Sequence, residues 1–209
     1  MPVLHLQDLN LGAGDALVVV DVQNDFLPGG SLAVPHGDEV IAALNRAIDV
    51  FVARGQPVFA TRDWHPPNQC SFRARGGPWP PHCVQGTPGA SFAPGLRLQS
   101  GTQVVSKGTD PERDAYSGFQ GTDLADRLRA VSAKHLFVGG LATDYCVLNT
   151  VKDALDRDFA VSVLVDAVRA VDVNPGDGVR ALDETRRWGA IFVEAGPHAR
   201  RLLSPSPQP

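Results

Sequence analysis

The chain has 209 residues, 43% of them apolar and 20% charged, with a formal net charge of −4. These values exclude a disordered chain and describe an ordinary globular protein with room for one sizeable core. With no basic run and no apolar run longer than Ala16–Val22, neither nucleic acid nor a membrane is an expected partner.

Residues 1–15 read as a polar lead-in without the basic and apolar segments of a signal peptide. Ala16–Val22 is a continuous apolar run, the mark of a strand buried on both faces of a parallel sheet. Val40, Ile41, Leu44, Ile48, Phe51 and Val52 then form one helical stripe, stopped by Gly55. Pro57–Thr61 is a second strand. Residues 63–101 carry seven prolines and six glycines with little periodicity, and so long a loop in a compact domain is usually functional.

Regular patterning returns with a third strand at Gln103–Ser106 and a helix marked by Leu124, Leu128 and Val131. A fourth strand, Leu136–Val138, runs into Gly139 and Gly140 as a strand does on reaching a turn. Cys146, Val147, Thr150, Val151, Ala154 and Leu155 then recur at helical spacing, with Thr143 as a candidate N-cap. A fifth strand at Val161–Val165, a helix at Val179–Trp188 and a sixth strand at Ala190–Val193 follow, and residues 204–209 read as a disordered tail. Strands alternating with helices predict an α/β fold: a three-layer α/β/α sandwich on a six-stranded parallel sheet, one domain over residues 16–203.

Ligands of such sheets bind beyond the carboxyl ends of the strands. Asp21 ends the first strand, Asp63 follows the second, Lys107 ends the third and Cys146 follows the fourth. Four separate segments thus bring chemically useful groups to one rim.

A lone buried Cys usually just fills space, but Cys146 falls in the first turn of a helix, where unpaired N–H groups favour a thiolate and can face an oxyanion. Asp21 can take the thiol proton and pass it to a leaving group, and Lys107 can support both anions. Asp63, His65 and the more distant His82 form a mixed N and O donor set with open positions, the pattern of a catalytic metal site. Cys83 is a rival ligand, discounted because adjacent residues rarely both reach one ion. Phe26 and Trp79 flank these segments and can sandwich a flat aromatic substrate, although core packing explains Phe26 equally well.

Asp21-Val22-Gln23-Asn24-Asp25-Phe26 resembles the opening motif of the nicotinamidases, which belong to the isochorismatase-like cysteine hydrolases. Thr61-Arg62-Asp63-Trp64-His65-Pro66, Trp79-Pro80-Pro81-His82-Cys83-Val84, Lys107-Gly108 with Tyr116-Ser117-Gly118-Phe119, and Gly139–Val147 continue the resemblance over about residues 16–195. The first motif is shared by the wider superfamily; the metal motif joined to Trp79–Cys83 is the more specific.

The resemblance implies Asp21, Lys107 and Cys146 as a catalytic triad, and Asp63, His65 and His82 as ligands of one divalent ion, Zn, Fe or Mn. It implies a cis peptide between Leu141 and Ala142, an oxyanion hole from the N–H groups of Ala142 and Cys146, and substrate contacts from Phe26, Trp79, Tyr116 and Leu141. Gln69 departs from the pattern, standing where the family usually has a further His. The function expected is deamidation of nicotinamide to nicotinate and ammonia, with pyrazinamide also accepted, in a cytoplasmic protein free to form a homo-oligomer. Three cysteines, an odd number, agree with a reducing compartment. The alternatives are an amidase for a carbamoyl or ureido substrate and a non-catalytic binding module; a vinyl-ether hydrolase would leave Cys146 without a task.

Overall fold

A computed structural model describes residues 4–196. Its strands are β1 (Leu4–His5), β2 (Asp15–Val20), β3 (Val58–Asp63), β4 (Gln103–Lys107), β5 (His135–Leu141), β6 (Ala160–Arg169) and β7 (Ile191–Glu194). Its α-helices are α1 (Val40–Ala53), α2 (Leu124–Ala130), α3 (Leu148–Leu155) and α4 (Asp177–Arg187).

One parallel sheet holds all seven strands in the order β1-β7-β6-β5-β2-β3-β4. The sequence pattern predicts six. The extra strand lies in the supposed polar lead-in, where Leu4 and His5 pair with Val193 and Glu194. Two residues are too few to display an alternating pattern. The tail at 204–209 and the predicted domain end at 203 lie outside the described residues.

Strand β2 shows why the sheet is covered on both faces. Leu17 and Val19 pack with Leu44, Ile48 and Phe51 of α1, whereas Ala16, Val18 and Val20 pack with Leu124 and Leu128 of α2 and Val151 and Ala154 of α3. Successive strand residues point to opposite faces, so an unbroken apolar run serves two helical layers at once.

Strand order reverses between β2 and β5: the chain runs outward from β2 through β3 to β4, and from β5 through β6 to β7. The crevice above that switch point is where this architecture receives ligands. Gly139 and Gly140 do not end β5, as the sequence pattern suggests, but lie within it at a shift of register against β6. Gly140 has φ +131°, and a Cβ there would come within 2.0 Å of the Val20 carbonyl oxygen. Only glycine allows this close approach of the two central strands.

Candidate active site and metal group

The ends of β2, β3, β4 and β5 deliver Asp21, Asp63, Lys107 and the Ala142–Cys146 turn to one rim. Asp21 leaves the sheet with φ 50°, an uncommon conformation for a residue with a Cβ. Thr61 Oγ1 donates to Asp21 Oδ1 at 2.6 Å, and Lys107 Nζ lies 2.9 Å from Asp21 Oδ2. The same ammonium donates to Asp63 Oδ1, to the Ala115 carbonyl at 3.0 Å and to Cys146 Sγ at 3.5 Å. Asp21, Lys107 and Cys146 are all buried.

Cys146 occupies a single π-helical turn, Thr143–Val147, that leads into α3. Thr143 does not cap it: no side-chain capping bond forms at its start. The peptide between Leu141 and Ala142 is cis.

Burial is the largest influence on every charge here. It pushes the Cys146 thiol well above its ordinary range; Lys107 opposes this, while Asp21 and Asp63 add to it. Desolvation and two carboxylates thus outweigh Lys107 and favour the thiol over the thiolate that the sequence suggests. Asp21 is likewise raised, by burial first, against the pull of Lys107. Burial alone would raise Asp63 too, but Lys107 and His65 overcome it and hold the carboxyl well below the usual range. Burial would strip the Lys107 proton, yet Asp21, Asp63 and Cys146 together keep it firmly charged. A buried cation flanked by two carboxylates is compensated; either carboxylate alone would not be.

Asp63 also faces the other way. His65 Nε2 lies 3.6 Å from Asp63 Oδ2, and the His65 and His82 ring centroids are 4.9 Å apart. Donor atoms of Asp63, His65 and His82 all fall within 4.8 Å of one another. His65 Nδ1 lies 3.0 Å from the Gly108 carbonyl oxygen and His82 Nδ1 2.8 Å from that of Pro80. A carbonyl can only accept, so each ring donates from Nδ1, which leaves Nε2 as the nitrogen that would ligate a metal. Gly108 must be glycine, since a Cβ there would meet the His65 ring at 2.5 Å. A second group, Asp21, Asp63 and Cys146, has similar spacing, but Lys107 already fills it with its own positive charge. Cys83 is buried in the apolar core and is not part of either group.

A cleft connects the two groups and is lined by Phe26, Trp79, Tyr116, Ala142 and Tyr145 together with Asp63, His65, His82 and Cys146. Trp79 Nε1 donates to the Tyr116 hydroxyl at 2.9 Å, and the Trp79 ring meets Tyr145 edge-on at 5.2 Å. Phe26 lies across from His82, ring centroids 5.7 Å apart. Leu141 does not line the cleft. Its side chain is fully buried in the core, reaching toward Gly37, because adjacent strand residues point to opposite faces.

Several participants were not picked out from the sequence. Thr61 precedes Asp63 by two residues on the same strand face, a signal that period-two reading could have caught. Tyr145 lies inside the Cys146 turn. The carbonyls of Ala115, Gly108 and Pro80 have no side-chain signature at all.

A family model described as an isochorismatase domain matches residues 15–193. The nicotinamidase of Escherichia coli (strain K12) is 42% identical over 198 residues, covering 85% of this chain and 93% of that protein. Among solved structures, the zinc complex of the pyrazinamidase of Pyrococcus horikoshii has a TM-score of 0.83 and 49% identity, covering 87% of this chain and 99% of that one. PnC1 of L. infantum, solved in complex with nicotinate, has a TM-score of 0.79 and 37% identity, covering 88% and 93% of the two chains.

Proposed function

The chain belongs to the isochorismatase-domain family, and on that premise we propose that it hydrolyses nicotinamide to nicotinate and ammonia. The observation that carries the reading is the joint placement, in one small cleft, of Cys146 beside the Asp21–Lys107 pair and of the Asp63, His65 and His82 donors. Similarity to the nicotinamidase of E. coli and to the nicotinate complex of PnC1 supports the choice of substrate.

Cys146 is the nucleophile. Its Sγ attacks the amide carbon while its proton passes to Asp21, whose raised affinity for protons suits it to receive one. The Ala142 and Cys146 N–H groups take the oxyanion. Asp21 hands the proton to the departing nitrogen, ammonia leaves, and a thioester joins the acyl group to Cys146. Asp21 then removes a proton from water, the hydroxide displaces Sγ, and nicotinate is released with the thiol restored. Throughout, Lys107 keeps its charge between the two carboxylates. A divalent ion held by Asp63, His65 and His82 would supply a Lewis-acid partner for the pyridine nitrogen. We assign zinc to this position, since the pyrazinamidase of P. horikoshii was solved with zinc and the donor set suits it. Phe26, Trp79, Tyr116 and Tyr145 enclose the ring so that the amide carbon comes to rest over Cys146.

The three free cysteines suit the reducing cytoplasm, and among the described residues no helix is long and apolar enough to cross a membrane. Ammonia release from nicotinamide by the zinc-loaded protein tests the proposal. Turnover of an N-carbamoyl compound with none of nicotinamide would overturn it.

A further inference from the structure

Beyond Val20, β2 stops pairing as a strand. Val20 is in register with Thr61 of β3, and the Asp21 N–H still donates to the Thr61 carbonyl at 3.2 Å. The chain then turns out of the sheet at the positive φ of Asp21. In a continued parallel ladder the Asp63 N–H would reach the Asp21 carbonyl. That carbonyl accepts instead from the Gln23 N–H at 2.9 Å.

The Gln23 side chain fills the gap. Its Oε1 accepts from the Asp63 N–H at 2.8 Å, and its Nε2 donates to the Asp63 carbonyl at 2.8 Å and to the Ala90 carbonyl at 2.9 Å. Gln23 is 0% exposed, so water cannot replace these bonds. A carboxamide thus stands in for a missing strand and grips both backbone polar groups of one residue. That residue is the one whose carboxylate is divided between Lys107 and His65.

We propose that Gln23 is a positioning residue that sets the direction of the Asp63 carboxylate, so that one oxygen meets Lys107 while the other is presented to the metal group. With both its N–H and its C=O held, Asp63 cannot rotate about its backbone to favour one partner over the other. The inference rests on Asp63 being a metal ligand, as proposed above.

Neighbouring Asn24 provides a control. Its Nδ2 donates to the Pro88 carbonyl at 2.8 Å, tying the same turn to the same loop without touching Asp63. Zinc affinity of the metal-free full-length protein is measured by titration calorimetry for wild type, Gln23→Met, Asn24→Ala and Asp63→Asn. Gln23→Met should lower zinc affinity ~10–100-fold, as loss of a ligand's supporting bonds does, and should shrink the rise in melting temperature that zinc produces. Asn24→Ala should change neither. If Gln23→Met does not fold, Gln23→Asn, one methylene too short to reach Asp63, is read in its place. Equal losses in the Gln23 and Asn24 variants would reduce Gln23 to a loop tether and overturn the inference. So would unchanged affinity in the Gln23 variant alongside a loss in Asp63→Asn. Unchanged affinity in Asp63→Asn itself would instead remove the metal assignment on which the inference stands.

Discussion

The Lys107 ammonium nitrogen lies 3.5 Å from the Cys146 sulfur, in a site where both side chains are buried. A charge in that position acts on Cys146 with little screening by solvent. It is also shared with Asp21 and Asp63, so its shape matters as much as its sign. Lys107→Arg keeps the charge but substitutes a wide planar fork for a compact ammonium. We expect kcat/KM on nicotinamide to fall by ~10²-fold or more, on the scale of a misplaced catalytic group. Lys107→Met leaves two buried carboxylates uncompensated and should cost about 3–5 kcal/mol in urea unfolding. Near-normal turnover by the Arg variant would show that Lys107 takes no part in the chemistry.

Cys146→Ala should reduce turnover by at least ~10³-fold with the fold intact, because the triad acts as a unit. Iodoacetamide should inactivate the wild type, with nicotinate protecting it, and mass spectrometry should locate the label on Cys146. Loss of activity with the label on Cys70 or Cys83 instead would refute the assignment.

The protonation of Cys146 gives a pH test. Burial raises its thiol well above the ordinary range, so in the metal-free protein the group stays protonated at neutral pH. The alkylation rate should therefore keep climbing past pH ~10, where an unperturbed cysteine, half ionised near pH ~8.5, has levelled off. The sign for stability is the same. A proton retained only in the folded state contributes stability that is fully present below the unfolded pKa and is lost as pH rises through the folded one. A rate that reached its plateau below pH ~7 would mean a resting thiolate and a different activation of Cys146.

Separation of the nucleophile from the metal donors predicts substrate selectivity. Benzamide shares the shape and amide of nicotinamide but has no ring nitrogen, and a polar site left unmatched discriminates by ~10⁴-fold in kcat/KM. Pyrazinamide keeps a suitably placed nitrogen and should be turned over. Chelation should abolish turnover, with recovery on adding zinc. Comparable kcat/KM for benzamide and nicotinamide would remove the ring-orienting role of the donor group.

The Trp79–Tyr116 hydrogen bond holds two walls of the cleft together. Tyr116→Phe removes the acceptor while keeping the ring. At about 1 kcal/mol for such a bond, KM should rise ~5-fold with kcat nearly unchanged. A fall in kcat at constant KM would assign Tyr116 a role in the chemical step instead.

Much of this was legible beforehand for local reasons. A strand buried on both faces must be apolar throughout, so Ala16–Val20 announced its own place at the centre of the sheet. Asp21, Asp63, Lys107 and Cys146 stand at or just beyond strand ends, and parallel strands must all bring those ends to one rim. What escaped was short or carried by the backbone. β1 is a two-residue strand recognisable only by its pairing with Val193 and Glu194, and the Nδ1 partners of His65 and His82 are carbonyls that any residue would offer.

The sequence by itself determined which reactive groups this protein owns and that a single rim would collect them, since residue type and strand periodicity are properties of the local chain. Only the tertiary structure decided how they are shared. That Lys107 sits between two carboxylates, that Asp63 serves both Lys107 and the histidines, and that Leu141 turns into the core while Tyr145 enters the cleft all follow from the lateral order of the strands and the twist of the turns above them. Contacts between strand ends are set by which strands are neighbours, and no pattern along one strand encodes its neighbour.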